Sequence, residues 1–169
     1  NLERNLYLTL QLRELGAPVV VALNMMDEAR RRGDRLDIAG LAAALGTAVY
    51  PICARNGEGV AALMRGALQA AREKTPPQAR MLFSPALEKA LGEIQELIAA
   101  QASARGLPAR YAAEKLLEGD ARTEAQLELN AAARQAVAEA AKRAERRLGQ
   151  EGAALLANGR YAFLESTLT

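Results

Sequence analysis

The residue types that could do chemistry gather in two short segments, Asn24-Met25-Met26-Asp27 and Cys53-Ala54-Arg55, each at the end of an apolar run. Two strand ends that each deliver a short polar loop to one side of a sheet are how open α/β folds build a nucleotide pocket. Taken alone, Asn-x-x-Asp carries little information, because Asn and Asp after a strand are ordinary turn formers. Its weight comes from position, at the carboxyl end of a strand where ligands bind in parallel sheets. Other chemistries are poorly supplied. The chain has no His, which removes the commonest general base and the commonest metal ligand, and its single Cys excludes an intrachain disulfide.

The elements that must position these segments follow from the hydrophobic pattern. Leu2, Leu6, Leu8, Leu10, Leu12 and Leu15 crowd a stretch closed by Gly16-Ala17-Pro18, which predicts a core helix buried on a broad face. Pro18 to Leu23 is short, continuous and β-branched, the pattern of a buried parallel strand with Pro at its first position. After Asp27 comes the charged run Glu28 to Gly33. Asp37 then caps a crossover helix, Ile38 to Leu45, and Gly46 stops it. Ala48 to Ile52 reads as a second strand, with Pro51 near an end or edge. Asn56-Gly57-Glu58-Gly59 turns the chain into a helix with Val60, Leu63, Met64, Ala67, Leu68 and Ala71 on one face.

The Pro-Pro pair in Lys74-Thr75-Pro76-Pro77-Gln78 marks a boundary, and residues 75–80 read as a stiff linker. Residues 81–169 look like a helical bundle. Ser84-Pro85 opens a helix carrying Leu87, Leu91, Ile94 and Ile98, with Gly106-Leu107-Pro108 as its exit, and a shorter helix runs from Ala109 to Leu117. Thr123-Glu124-Ala125-Gln126 has the capping-box form and predicts the start of one long helix reaching Leu148. Ala153 to Leu168 reads as a last helix, weakened at Asn158-Gly159. The fold class expected is a partial parallel α/β sheet with helices at residues 1–74, followed by an all-α bundle.

At 169 residues with half of them hydrophobic, the chain can bury a core. The longest apolar stretch, Ala17 to Leu23, is far shorter than the roughly 20 residues a membrane-spanning helix needs. A net charge of +2 with no Trp and two Phe gives little support for nucleic-acid binding. The start Asn1-Leu2-Glu3-Arg4, with neither an initiator Met nor a signal-peptide pattern, reads as a piece cut from something longer.

Asn-Lys-x-Asp followed one strand later by Ser-Ala-Lys is the guanine-reading pair of motifs in the G-protein superfamily, and Asn24 to Asp27 with Cys53 to Arg55 resembles a variant of both. The resemblance implies that the Asp27 carboxylate accepts the N1–H and N2–H donors of guanine together, which adenine cannot supply. It places the Ala54 backbone N–H toward guanine O6 and has Asn24 tie the loops through its amide. Met25, where most of that superfamily has Lys, offers apolar contact without charge, so looser nucleotide binding is expected. Cys53 stands where Ser is usual and reads as a small buried residue closing the strand rather than a reactive thiol. Arg55 either shields the base edge or is a solvated loop charge. Arg30-Arg31-Arg32 reads as a solvated helix face, with a lipid or phosphate site as the lesser reading.

Asn-Met-x-Asp is characteristic of the ferrous iron transport protein B family, and further stretches are similar to the same family: Asn1 to Leu8, Tyr111 to Asp120 with Lys115-Leu116-Leu117-Glu118-Gly119-Asp120, and Arg160-Tyr161-Ala162-Phe163. The resemblance implies residues 1–74 as the C-terminal half of a G domain and residues 81–169 as a helical spacer domain. It implies GTP or GDP as ligand, with Mg2+ in the intact protein. It also implies a missing N-terminal half of the G domain as partner, and a downstream transmembrane domain moving ferrous iron at the cytoplasmic face of a bacterial inner membrane. The parent resembles a GTP hydrolase. The chain contains no Gly-x-x-x-x-Gly-Lys-Ser/Thr loop and no Gly-Lys pair, so no catalytic residue and no magnesium ligand is assigned. Two other readings remain: a helical module that relays or regulates nucleotide state, and part of a GTPase of translation or ribosome assembly, against which Met25 and the neutral helical half both speak.

Overall fold

Val19 to Val21 favour extended backbone because branching at Cβ restricts their side chains in a helix. The strand they enter, β1 (Val21–Leu23), pairs in parallel with β2 (Val49–Pro51) in the register Val21↔Val49, Ala22↔Tyr50 and Leu23↔Pro51. Pro51, which has no N–H to give, is the last residue of its strand. Ile52 N–H just beyond it donates to Leu23 O at 2.8 Å. Both strands are shorter than the apolar runs that predict them. The computed structural model describes residues 2–73 and 82–168, and the linker expected at 75–80 lies outside them.

The chain divides into two compact units, residues 1–80 with 167–169 and residues 81–166. In the first, the order is α1 (Leu2–Glu14), β1, α2 (Met26–Arg32), α3 (Ile38–Leu45), β2 and α4 (Val60–Glu73). The parallel pairing of β1 and β2 across α2 and α3 is the crossover arrangement expected from the sequence. Asp37 caps α3, its Oδ1 accepting from Gly40 N at 2.8 Å, and Gly46 ends it in the left-handed region. Leu41, Leu45, Val49 and Ile52 are buried.

One expectation for this unit needs correction, and a second helix is more exposed than its apolar stripe suggests. The broad buried face foreseen for the first helix is narrow: Leu6 and Leu10 are buried, whereas Leu8, Leu12 and Leu15 are exposed. The apolar stripe of α4 holds no buried residue, and its Met64 and Leu68 are exposed. Both follow from size, since two three-residue strands offer too little surface to cover leucines on several sides of a helix.

In the second unit α5 (Pro85–Ala104), α6 (Ala109–Leu117), α7 (Ala121–Leu127), α8 (Ala131–Leu148) and α9 (Gly152–Leu168) follow one another. Ser84 caps α5, with Pro85 at its first helical position. Leu91, Ile94 and Ile98 of α5 are fully buried with Ala112 and Ala113 of α6, Leu127 of α7, and Leu156 of α9. Each buried Leu or Ile contributes roughly 1.5–3 kcal/mol over its exposed state.

The single long helix expected from Thr123 is two helices. Asp120, three residues earlier, takes the capping role: its Oδ2 accepts from Thr123 N at 2.8 Å and from Thr123 Oγ1 at 2.6 Å. Thr123 is thereby buried inside α7. Glu128 ends α7 in a left-handed conformation, and Asn130, accepting from Ala133 N at 2.8 Å, starts α8. The last helix expected from Ala153 is present as α9, which runs through Asn158-Gly159. Gly159 serves packing, because a Cβ there would lie 2.4 Å from Phe83 Cδ1.

Candidate functional site

The loop after β1 is shaped by one side chain. Asn24 Oδ1 accepts from Met25 N at 2.8 Å, its own neighbour, and from Ala54 N at 3.0 Å on the loop after β2. A single carbonyl oxygen thus joins the two segments, as the sequence reading expected of Asn24. Met25 is consequently held at φ 66, ψ 31, a left-handed conformation that a side chain with Cβ adopts at a cost of about 1–2 kcal/mol. Its carbonyl then accepts from Glu28 N and Ala29 N, which starts α2. Strain of this kind gathers at functional sites, where surrounding contacts hold it in place. Met25 leaves its thioether chain 54% exposed at the mouth of the two loops.

The second loop is a tight turn closed on itself. Cys53 N donates to Glu58 O, Asn56 N and Gly57 N donate to Cys53 O, and Asn56 Oδ1 accepts from Glu58 N. Gly59 is required where the turn meets β2, since a Cβ there would lie 2.2 Å from Pro51 O. Arg30 of α2 grips the turn from outside, its two Nη atoms each 2.7 Å from an oxygen of Glu58. A fork-to-fork pair of this type fixes direction as well as distance.

Asp27, in the first turn of α2, sits between these parts. Arg55 Nη2 lies 2.6 Å from its Oδ2, and Arg31 Nη2 lies 3.7 Å from the same atom. Partial burial pushes the Asp27 carboxyl up, but the Cys53 hydrogen bond, the Arg55 charge and nearby backbone N–H groups outweigh it and hold the group below its ordinary value. It is an anion at neutral pH.

The structure therefore brings together Asn24, Met25, Asp27, Cys53, Ala54 and Arg55. Cys53 is buried to 1% exposure, as expected of a small residue closing a strand. Arg55, left open between two readings, points at Asp27. The Ala54 N–H, which the resemblance directs to guanine O6, donates to Asn24 instead, so reaching O6 requires sharing or giving up that bond. Arg30, Arg31 and Arg32 are exposed but paired, with Glu58, with Asp27 and Glu28, and with Glu28.

Sequence reasoning missed the left-handed Met25 and the Arg30–Glu58 brace. The brace has no local signature, because it joins residues 28 positions apart. Among the described residues no group of three His, Cys, Asp or Glu is placed to hold a metal ion, so the implied magnesium finds no ligand set there.

A second group of charges lies in the helical unit. Arg110 bonds Glu88 at 2.6 and 3.0 Å and Glu114 at 2.6 Å. Arg160 Nη atoms lie 3.4 Å from Glu114 and 3.2 Å from Glu118. Both guanidinium groups face the Phe83 ring. Its side chains are paired with one another, which marks it as structural.

The parallel strands with their loops at one end, followed in sequence by a helical domain, place the molecule among proteins with a G-domain-type α/β unit and an appended helical domain. The chain belongs to the ferrous iron transport protein B family. A model of that family, described as ferrous iron transport protein B, matches residues 1–67, and a model of the FeoB cytosolic helical domain matches residues 83–169. An Fe(2+) transport protein A/Fe(2+) transporter FeoB fusion protein from Porphyromonas gingivalis is 46% identical over 71% of this chain. An Fe(2+) transporter FeoB from Legionella pneumophila is 40% identical over 71% of it. The chain spans 15% and 16% of the length of these two relatives. The crystal structure of NFeoB from S. thermophilus bound to GDP.AlF4- and K+ superposes with a TM-score of 0.88 at 32% identity, over 99% of this chain and 64% of that one.

Proposed function

We propose that residues 1–74 are the C-terminal half of a G domain and that their two loops read guanine in GTP or GDP. The observation that carries the reading is the Asn24 Oδ1 bridge to Met25 N and Ala54 N, which sets Asp27 beside Cys53-Ala54-Arg55. In this reading the Asp27 carboxylate takes the N1–H and N2–H of guanine as a bidentate, charge-assisted pair. Met25 lies along the base and contributes apolar contact only. Asn24, Cys53 and Ala54 hold the loops in register. The solved S. thermophilus relatives were crystallised with GDP.AlF4- and K+ or with mGMPPNP, which supports nucleotide binding at the corresponding unit.

The same proposal makes residues 81–169 a helical spacer domain, with residues 75–80 as linker, within the cytosolic part of a ferrous iron transporter. The phosphates and any Mg2+ fall to residues outside this chain. Replacing Asp27 by Asn in the full protein that carries these residues, and measuring guanine against xanthine nucleotides, tests the assignment. Guanine affinity is expected to fall and xanthine affinity to rise, because Asn can donate to the 2-oxo group. Unchanged guanine affinity would sink it.

A further inference from the structure

The partner that Asp27 holds in this structure has the chemistry of the ligand proposed for it. Guanine offers Asp27 a planar N–C–N edge with two N–H donors, N1–H and N2–H. A guanidinium is the same planar N–C–N arrangement of donors. Arg55 Nη2 sits 2.6 Å from Asp27 Oδ2, while Arg31, the other cation near that oxygen, stays at 3.7 Å. We propose that Arg55 is an internal competitor of guanine: its guanidinium occupies the Asp27 carboxylate in the free protein and must leave before the base can dock.

The geometry suits a competitor. The turn that carries Arg55 is fixed at its base by the Cys53–Glu58 pairing and by Arg30 on Glu58, so the side chain starts from a fixed backbone. Its side chain is 76% exposed and can swing into solvent, whereas that of Asp27 is 20% exposed and stays in place. The bidentate contact with guanine needs both carboxylate oxygens, and Oδ2 is engaged. No backbone movement is required for the exchange. Arg55 thus lowers apparent affinity by the fraction of time it holds Asp27, the ordinary arithmetic of a protein whose binding-competent state is partly populated. Because Met25 already supplies no charge, the two residues act in the same direction.

This inference rests on the guanine reading, and the experiment separates the two. In the full protein that carries this chain, Arg55→Gln and Asp27→Asn are compared with the parent for binding of GDP labelled on the ribose with a fluorescent group. Arg55→Gln is expected to bind about three- to five-fold more tightly at low salt, the range of a well-aligned exposed ion pair. The gain is expected mainly in the association rate, and its ratio to the parent should fall toward one as sodium chloride screens the pair. Unchanged or weaker binding by Arg55→Gln, with binding still lost in Asp27→Asn, overturns the competitor and leaves the guanine reading intact. Unchanged binding by Asp27→Asn overturns both. Arg55 is exposed, so the variant folds, and thermal unfolding that coincides with the parent's verifies it.

Discussion

Replacing Arg160 by Met tests whether the charged group inside the helical unit is a structural element. The Arg160 side chain is 2% exposed and that of Glu114 1%, so the substitution leaves a carboxylate enclosed with less compensation. Removing one partner of a buried pair costs about 3–5 kcal/mol in general. Here the cost is smaller, because Arg110 Nε still lies 2.6 Å from Glu114 Oε1 and Glu118, at 19% exposure, can turn toward water. The cation–π contact with Phe83, at 5.9 Å, adds about 0.5–1 kcal/mol to the loss, and a buried thioether returns a similar amount. The net expectation is about 2–3 kcal/mol.

For a unit the size of residues 81–166 that corresponds to a drop of roughly 10–20 °C in Tm, read by far-ultraviolet circular dichroism on the whole chain. The exposed pair Arg134–Glu124 supplies the comparison: Arg134→Ala should cost less than about 0.5 kcal/mol. In a cycle with Glu114→Gln, the double variant should be more stable than the sum of the single losses by about 1 kcal/mol or more. An Arg160→Met shift as small as that of Arg134→Ala, or an additive cycle, would refute the reasoning.

Asn24→Ala should speed hydrogen exchange at the Ala54 and Met25 amides about tenfold or more, while Asn24→Asp, which keeps the acceptor, should retain protection; equal protection in all three would show that Asn24 does not join the loops. Gly159→Ala gains about 1 kcal/mol of helix propensity, but its Cβ would lie 2.4 Å from Phe83 Cδ1, so a net loss of about 1–2 kcal/mol in thermal unfolding is expected, relieved by Phe83→Leu. Hydrogen bonds from the Thr123 hydroxyl and amide hold the Asp120 carboxyl below its usual value. A depressed carboxylate stabilises the fold above its unfolded pKa and loses that contribution as pH falls through the folded value. Asp120→Asn, still a good cap, should therefore match the parent at neutral pH and show a flatter loss of Tm below about pH 4, whereas Asp120→Ala should cost about 1 kcal/mol at neutral pH.

How far the sequence could be read depended on the range of the interaction that decided each feature. Asp37, Gly46, Ser84 and Pro85 act on their own helix ends, and both the helices and their caps were legible. The parallel strands were legible because β-branched apolar runs flank a helical crossover, although their length was not. Thr123 misled because its capping pattern is local while the stronger cap, Asp120, is equally local and three residues upstream; two signals competed, and the one with a carboxylate and two donors prevailed. The loop chemistry was legible as residue types and illegible as contacts. Nothing in Arg55 alone announces Asp27 as its partner across 28 positions, and only the pairing of Leu23 with Pro51 brings them together. Arg110 and Glu114 have the i, i+4 spacing that predicts a pair. Arg160 belongs to the same group only because α9 returns to α6, so its burial had no signal in the sequence beyond family likeness. That difference makes the Arg55 proposal testable apart from the fold. The loops are held by Asn24 on Ala54 and by Arg30 on Glu58, whereas the exposed Arg55 side chain is free to be exchanged for a ligand of its own chemistry.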